Sequence, residues 1–415
     1  MPIKLKYLDG LRGWAALIVV LGHYCFVYLP YIIDKKGSPH FGFEATIHTT
    51  PWYVLVNGGF AVCIFFILSG LVLSSSFFAR KAVTTVQRSA VKRYFRLAIP
   101  AGVSAILAYL LLQTGSFHNQ AVADITGSGW WSQFWHNDWN LWQSLRYGFY
   151  EALTSPSGPE TLNPVLWTLQ VELLGSFLVY TILALFGHLP QRWIVYTIAG
   201  WWLAKTYYLS FIIGLVLADL LSLGAFNKLP SLLKKLSWLP LVIIGIVLGS
   251  MPNGSLDGTV FHFFSGWYEP SLEKLRIVIF TAGATALMLA ILMSPFLQRL
   301  LSSRSSRFMG RISFSLYLTH FLALGSYSSY LFITTHLAGW PYGASIAFNL
   351  ISGLLMTFVV ADIFTRLVDE PSIKLSAWLH DQVLARQFTL KRQSRILTVQ
   401  PAPTKNYALS YKHKV

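Results

Sequence analysis

Two residues near the start of the chain have the types and spacing that chemistry inside a membrane would need. Arg12 and His23 flank an apolar run and lie eleven positions apart. On an α-helix that spacing returns to nearly the same face, about 16 Å further along the axis. An imidazole at that depth can act as a general base or accept a transferred group. In the alternative interpretation, Arg12 anchors the helix at the membrane interface and His23 bonds to another helix for structure alone.

The elements that must position these residues are membrane helices. The chain has 415 residues, of which 54% are hydrophobic and only 12% charged, whereas soluble globular domains carry about 25% charged residues. Segments of roughly twenty apolar residues predict an all-α, polytopic transmembrane bundle of about ten helices. The predicted spans are 11–33, 52–73, 97–112, 165–186, 193–203, 207–223, 238–249, 275–293, 312–333 and 342–364.

The charge pattern predicts how the chain crosses the membrane. The net charge is +16, and most of the 32 Lys and Arg residues fall on one side when the N-terminus is placed in the cytoplasm. This positive-inside pattern predicts an N-in, C-in, multi-pass protein of the plasma membrane, or of an endomembrane in a eukaryote. Because the basic residues are spread over several loops, no nucleic-acid partner is expected. Cys25 and Cys63 both fall in apolar spans, so neither a disulfide framework nor a cysteine-bound metal is expected.

One domain, residues 1–371, is predicted to hold all the spans. Asp369-Glu370-Pro371 is expected to end the last helix, since the residue before a proline disfavours helical geometry. Residues 372–415 are basic and lack apolar periodicity. They are predicted to form a cytoplasmic tail that lies partly on the inner leaflet and is otherwise disordered.

A pair of arginines precedes the third predicted span. Arg93 and Arg96 stand at i and i+3 in the run KRYFR, so on a helix their guanidinium groups lie side by side. Two adjacent guanidinium groups can bind phosphate oxygens in bidentate fashion. Basic residues at this position also serve as plain membrane anchors, and the spacing does not choose between the two interpretations.

Glu172 is the acidic residue expected at the depth of His23. It lies about 12 Å below the outer end of the fourth span, and His23 about 16 Å above the inner end of the first, in a hydrocarbon core about 30 Å thick. A carboxylate there could orient the imidazole and stabilise its protonated form. Alternatively, Glu172 bonds a tryptophan or a backbone group for structure alone.

Four further polar residues are candidates for supporting roles. Ser69, in the run FFILSG, is a small residue best interpreted as a helix-packing position. Tyr317 and His320 belong to ISFSLYLTH, and His320 is expected near the depth of His23, either beside the site or in a helix-to-helix hydrogen bond. Asp9 precedes Arg12 by three residues, which predicts a local ion pair.

The longest external segment, residues 114–163, is rich in tryptophan. Aromatic faces with interspersed acids are typical of carbohydrate binding, whereas an aromatic belt on an amphipathic helix at the membrane surface is the alternative. If the acceptor of a reaction comes from outside, this segment is the expected place of contact. The aromatic residues concerned are Trp130, Trp131, Trp135, Trp139 and Trp142.

Several of these motifs resemble one family of membrane enzymes. The run DGLRG with Arg12 and His23 resembles the first helix of the acyltransferase 3 family. The SG run at Ser69, the paired arginines, the segment LWTLQVELL and the run ISFSLYLTH are similar to family motifs in the same order, between residues 8 and 371. Two positions depart from the pattern, because Leu173 replaces a second acid and Thr319 replaces an aromatic residue.

The resemblance implies a reaction and roles for the site residues. In the family, the residues matching Arg12 and His23 are the ones most closely tied to acyl transfer, and the paired arginines are taken to bind the phosphates of coenzyme A. The implied reaction moves an acyl group, expected to be acetyl, from cytoplasmic acyl-coenzyme A to a hydroxyl of a carbohydrate or glycosylated molecule. His23 would act as the general base or carry the acyl group itself, with Glu172 orienting it, and both routes stay open.

A second hypothesis is a proton-coupled exporter of a polysaccharide or small metabolite. His23 and Glu172 would then form a proton relay inside the membrane. No inverted repeat supports it, and the polar residues gather along one path from a basic cytoplasmic mouth. Binding of coenzyme A separates the two hypotheses, because an exporter has no use for it.

Overall fold

The computed structural model describes residues 6–35, 37–156, 158, 160–379 and 381–382. The described residues form an all-α protein without a β-strand, which confirms the predicted fold class. Ten principal helices run through them: α1 (Lys6–Tyr28), α2 (Gly58–Arg80), α3 (Val83–Gln113), α4 (Trp167–Phe186), α5 (Arg192–Trp202), α6 (Tyr208–Ser222), α7 (Ser231–Gly249), α8 (Glu269–Met293), α9 (Arg304–Ala323) and α10 (Tyr342–Phe364).

Shorter helical segments connect the principal helices. A π-helical turn, Leu324–Ser328, joins α9 to the helix Ser329–Leu337, and another, Thr365–Asp369, follows α10. The others are Pro30–Asp34, Phe43–Thr49, Pro51–Leu55, Asn119–Thr126, Trp131–Gln133, Leu141–Arg146, Tyr147–Glu151, Ala152–Thr154, Pro164–Leu166, Ala225–Lys228, His262–Phe264 and Pro295–Leu301.

Seven helices of the described chain are long and apolar enough to cross a membrane. They are α1, α2, α3, α4 with its first turn at Pro164–Leu166, α7, α8 and the continuous stretch Tyr342–Leu379. The other three predicted spans are also helical, but α5 and α6 are shorter and α9 is too polar to qualify. The N-in, C-in topology stays a prediction.

The prediction that the last helix ends before Pro371 is wrong. The chain passes from α10 through the π-turn Thr365–Asp369 and stays helical to Leu379. A proline inside a helix removes its own N–H bond and its ring clashes with the carbonyl of the residue four before it, and a π-turn is a common place for the helix to bend around such a defect. The predicted division of the chain at residue 371 therefore falls inside a helix, and residues 383–415 of the predicted tail lie outside the described residues.

Helix α3 begins at Val83, well before the apolar stretch 97–112 that predicted it. The charged run KRYFR hid the earlier turns, because those residues lower the local hydropathy while remaining compatible with a helix. As a result Arg93 lies inside the bundle, where it is only 8% exposed.

Helices α1 and α9 form the central pair of the bundle. They run parallel and in register: Gly13 lies against Gly310, and ten residues later His23 lies against His320. A Cβ placed on Gly13 would come 2.5 Å from the backbone nitrogen of Gly310. Only glycine therefore allows the approach that brings the two histidines together.

Replacing Gly13 with alanine is expected to lower the melting temperature and the activity together. The new methyl group meets backbone rather than a movable side chain, and overpacking of this kind costs about 1–3 kcal/mol. Thermal unfolding of the detergent-solubilised chain measures the effect. Gly42→Ala is the matched control, because nothing lies within 4 Å of a Cβ there and its φ is −60°. Equal melting temperatures for the two variants would contradict the proposed packing constraint.

Candidate active site

A cavity of about 550 Å³ opens at the end of the bundle where α1 and α9 begin. Its outer part is charged and its inner part is apolar. The basic lining residues are Lys6, Arg12, Arg93, Arg96, Arg307 and Arg311, and the acidic ones are Asp9, Glu172, Asp369 and Glu370. Basic residues outnumber acids, which favours an anionic ligand at this opening.

The end of the cavity that lies deeper in the bundle is mostly apolar. Val62 and Phe65 from α2 line it there, with Thr168 and Leu169 from α4 and Tyr317 from α9. The hydroxyl of Tyr317 accepts a hydrogen bond from Thr168 at 3.0 Å and donates one to the carbonyl of Val165 at 3.0 Å. Tyr317 is thereby held in one orientation.

Most of the predicted site residues come together in this cavity. Asp9, Arg12, Ser69, Arg93, Arg96, Glu172 and Tyr317 all line it. His23 and His320 lie just beyond its inner end, with the His320 ring 5.9 Å from the Tyr317 ring. The sequence prediction of one path from a basic mouth toward His23 agrees with this arrangement.

His23 and His320 contact each other directly. Nδ1 of His23 lies 2.7 Å from Nε2 of His320, and Nδ1 of His320 lies 3.0 Å from the carbonyl oxygen of Leu316. A carbonyl can only accept, so Nδ1 of His320 carries the proton, and Nε2 of the neutral ring is an acceptor. His23 therefore donates through Nδ1.

This hydrogen-bond chain fixes the chemical character of His23. With its proton on Nδ1, the neutral ring presents an unprotonated Nε2. That nitrogen can accept a proton from a hydroxyl or attack a carbonyl. His320 is fully buried and thus takes the orienting position that the sequence analysis gave to Glu172.

Glu172 does not contact His23 in the described structure. Its Oε1 accepts hydrogen bonds from Ser69 Oγ at 2.6 Å and from Arg93 Nη2. Equal depth along two helix axes does not fix the direction in which each side chain points, and the early start of α3 places Arg93 against α4. The predicted orientation of His23 by Glu172 is therefore corrected. Ser69, interpreted from sequence as a packing residue, is a hydrogen-bond donor at the cavity wall.

The two arginines of the KRYFR run have different surroundings. Arg93 is buried, and its Nε donates to Ser176 Oγ at 2.8 Å in addition to the ion pair with Glu172. Arg96 is exposed, lines the cavity and makes no side-chain hydrogen bond within the described part of the chain. Arg96 is thus the one of the pair with its donors available to a ligand.

Arg12 lies at the cavity wall beside Asp9. Its Nη1 is 3.3 Å from Oδ1 of Asp9, which is the predicted ion pair. Both side chains stay about one-third exposed toward the cavity, at 27% and 31%. Because surface ion pairs of this kind contribute little, the Arg12 guanidinium can exchange Asp9 for an anionic ligand at small cost.

Aromatic rings enclose His23 on the sides away from His320. Trp130 stacks on the imidazole with centroids 5.6 Å apart and an interplanar angle of 6°, and Phe321 meets it edge-on at 5.3 Å. Trp131 is completely buried against the same cluster, while Trp142 is 72% exposed. The tryptophans of residues 114–163 thus divide between the surroundings of His23 and the protein surface. Sequence analysis marked Trp130 only as one of a cluster, and spacing gave no sign of its contact with His23.

The described helices and this cavity define an α-helical protein suited to a membrane, with a pair of histidines, one of them fully buried, near the end of a basic opening. The chain belongs to the acyltransferase 3 family: residues 5–366 match that family, whose description is an acyltransferase domain. This membership confirms the resemblance that the sequence motifs indicated and identifies the protein as an acyltransferase.

Three curated fungal proteins are similar to the chain over most of its length. It is 26% identical to "O-acetyltransferase PaAT-1" of Phomopsis amygdali, over 91% of this chain and 85% of that protein. It is 22% identical to "Acyltransferase clz18" of Cochliobolus lunatus, over 88% and 93% of the two chains. It is also 22% identical to "Acyltransferase R4" of a Phoma species, over 90% and 95%. No solved structure gives a significant match.

Proposed function

We propose that this acyltransferase moves an acyl group, with acetyl the expected one, from acyl-coenzyme A to a hydroxyl group. The observation that carries the proposal is the cavity whose basic opening leads to the His23–His320 pair. The donor has an anionic nucleotide end and a thin arm that ends in the thioester, which suits a charged mouth and an apolar inner end. The name of the PaAT-1 relative supports acetyl transfer to oxygen.

In this proposal the anionic end of the donor binds at the mouth. Arg96 supplies free guanidinium donors, Arg12 can release Asp9, and Lys6 and Arg307 add positive charge. Arginine pairs well with phosphate because its planar group donates two parallel hydrogen bonds. The arm then follows the cavity toward Phe65 and Tyr317, with the thioester delivered to His23.

The reaction follows from the state of the His23 ring. Nε2 of His23 takes the proton of the acceptor hydroxyl while the hydroxyl oxygen attacks the thioester carbonyl. The carbon–sulfur bond breaks, and the proton passes to the departing thiolate, so the products are the ester and the free thiol. Throughout the reaction, Nε2 of His320 accepts the hydrogen bond that Nδ1–H of His23 donates. In the alternative route, Nε2 itself attacks the thioester carbonyl and the carbon–sulfur bond breaks, which gives an acyl-histidine and the thiolate. The acceptor hydroxyl then takes the acyl group in a second step, and its proton ends on the thiolate, so the free ring and the thiol are restored.

The proposal includes the predicted setting of the enzyme. The protein is a multi-pass membrane protein whose donor cavity opens toward the cytoplasm, because the helices α1 and α9 begin at that end with basic residues. The acceptor, predicted from sequence to be a carbohydrate or glycosylated molecule, approaches His23 from the side of residues 114–163. A hydrogen bond from Ser128 Oγ to the carbonyl oxygen of Phe26, at 2.6 Å, supports a close association of that segment with the end of α1.

Donor binding is tested with purified protein and radiolabelled acetyl-coenzyme A. The native chain is expected to bind and slowly consume the thioester, and Arg96→Ala is expected to weaken binding about tenfold, as loss of a charge-assisted hydrogen bond predicts. Arg304→Ala is the matched control, because Arg304 is exposed at the same end of α9 but does not line the cavity. If the native chain binds no acetyl-coenzyme A, the proposed donor is wrong and the acyl group comes from another donor.

A further inference from the structure

Helix α2 presents two partly exposed residues to the donor cavity in an otherwise buried stretch. From Phe60 to Leu71 every residue is buried except Phe65 and Ser69. They are four positions apart, so both point from one face of the helix, and both line the cavity. The Ser69 hydroxyl donates a hydrogen bond to Glu172, whereas the described contacts of the Phe65 side chain are all apolar.

Phe65 lies in the apolar inner wall of the donor cavity, beside Tyr317. Its ring meets the Tyr317 ring edge-on, with centroids 6.1 Å apart and an interplanar angle of 73°. Tyr317 precedes His320 by three residues, which is about 4.5 Å along α9. Both rings line the cavity, and the Tyr317 ring lies 5.9 Å from the His320 ring, so the ring pair belongs to the part of the cavity wall that adjoins the histidine pair.

The two rings differ in their freedom to move. Tyr317 is fixed by hydrogen bonds with Thr168 and with the carbonyl of Val165. Phe65 has no polar anchor and is bordered by the cavity, so a rotation of its side chain meets empty space on one side. An edge-to-face ring pair is a weak interaction, which a bound ligand can readily offset.

We propose that Phe65 is the gate through which the arm of the donor reaches His23, and that it closes the path when no donor is bound. This inference rests on the proposed function. The nucleotide end binds at the mouth without touching Phe65, while the thioester-bearing arm displaces the ring. The displaced ring packs beside the arm and fills the space around it, which keeps water from the cavity away from the thioester at His23.

The test separates binding of the two ends of the donor. Purified native chain, Phe65→Trp and Phe65→Ala are compared for equilibrium binding of acetyl-coenzyme A and of adenosine 3′,5′-bisphosphate, which lacks the arm. Phe65→Trp is expected to weaken acetyl-coenzyme A binding at least about tenfold and to leave bisphosphate binding within about twofold. Phe65→Ala is expected to keep donor affinity and to raise acceptor-free hydrolysis of the thioester severalfold.

Controls make each outcome decisive. Phe296→Trp, at a residue 58% exposed on the bundle surface, reports the effect of an added indole alone. Melting temperatures show whether each variant is folded, and Phe65→Leu replaces Phe65→Ala if the latter unfolds. Unchanged acetyl-coenzyme A binding by Phe65→Trp, or equal loss of both ligands, would overturn the gate. Absence of donor binding by the native chain would instead overturn the proposed function.

Discussion

Replacing His23 with alanine is expected to reduce acyl transfer by about a thousandfold or more while the chain still binds acetyl-coenzyme A. Loss of a general base costs 10²–10⁴-fold in typical enzymes, and loss of a nucleophile costs at least as much. Donor binding should persist because the basic mouth lies on the opposite side of Tyr317 from His23. Thioester consumption and equilibrium donor binding, measured on the same preparation, check both parts.

Variants of His320 test how His23 is oriented. His320→Ala removes the acceptor for Nδ1–H of His23 and is expected to lower turnover about 10–100-fold, the usual cost of losing such an orienting partner. His320→Gln keeps a carbonyl oxygen in reach and should recover part of the activity. A purely structural role would predict equal losses for both variants, accompanied by matching losses of melting temperature.

The control for these histidine variants is His188→Ala. His188 is exposed, and the described contact of its ring is with Phe77, away from the site. More than a tenth of native activity in His23→Ala would contradict the catalytic assignment. Label retained by the native chain after rapid gel filtration at neutral pH without acceptor, but lost in His23→Ala, would select the acyl-histidine route, and absence of label would favour direct transfer.

Local sequence features located several of the cavity residues, because these features depend on spacing along one helix. Arg12 and Asp9 are paired as their i, i+3 spacing requires. The same reasoning brought Arg12 to the cavity and His23 to its inner end on a single helix, α1. Apolar windows located the helices, since burial in lipid demands long runs of apolar residues.

Residue spacing along one helix does not predict which side chains of different helices contact each other. Glu172 and His23 were matched by depth, but depth leaves the rotation of each helix undetermined, and Glu172 turned out to face Arg93. The parallel register of α1 and α9 depends on the close approach of Gly13 to Gly310, which no hydropathy window reports. Trp130 reaches His23 from a segment without regular periodicity, so its position follows only from the folded chain.

Breaking the ion pair between Arg93 and Glu172 by removing one partner is expected to destabilise the protein more than any other single change in the cavity wall. Both side chains are nearly buried, at 10% and 15% exposure, and Arg93 also donates to Ser176. Arg93→Ala leaves an uncompensated carboxylate inside the bundle, and breaking a buried pair in this way costs about 3–5 kcal/mol. Thermal and denaturant unfolding in detergent should show the loss even without donor present.

A double replacement and the neighbouring arginine separate this structural role from phosphate binding. Arg93→Met with Glu172→Gln removes both charges and is expected to regain part of the stability lost in Arg93→Ala, because no unpaired charge remains. The free energy of unfolding of Arg96→Ala should lie within about 0.5 kcal/mol of that of the native chain, because Arg96 is exposed and its effect is on donor affinity. If Arg93→Ala and Arg96→Ala instead had equal stability and equal loss of donor binding, both arginines would hold the donor and the distinction drawn from their surroundings would be wrong.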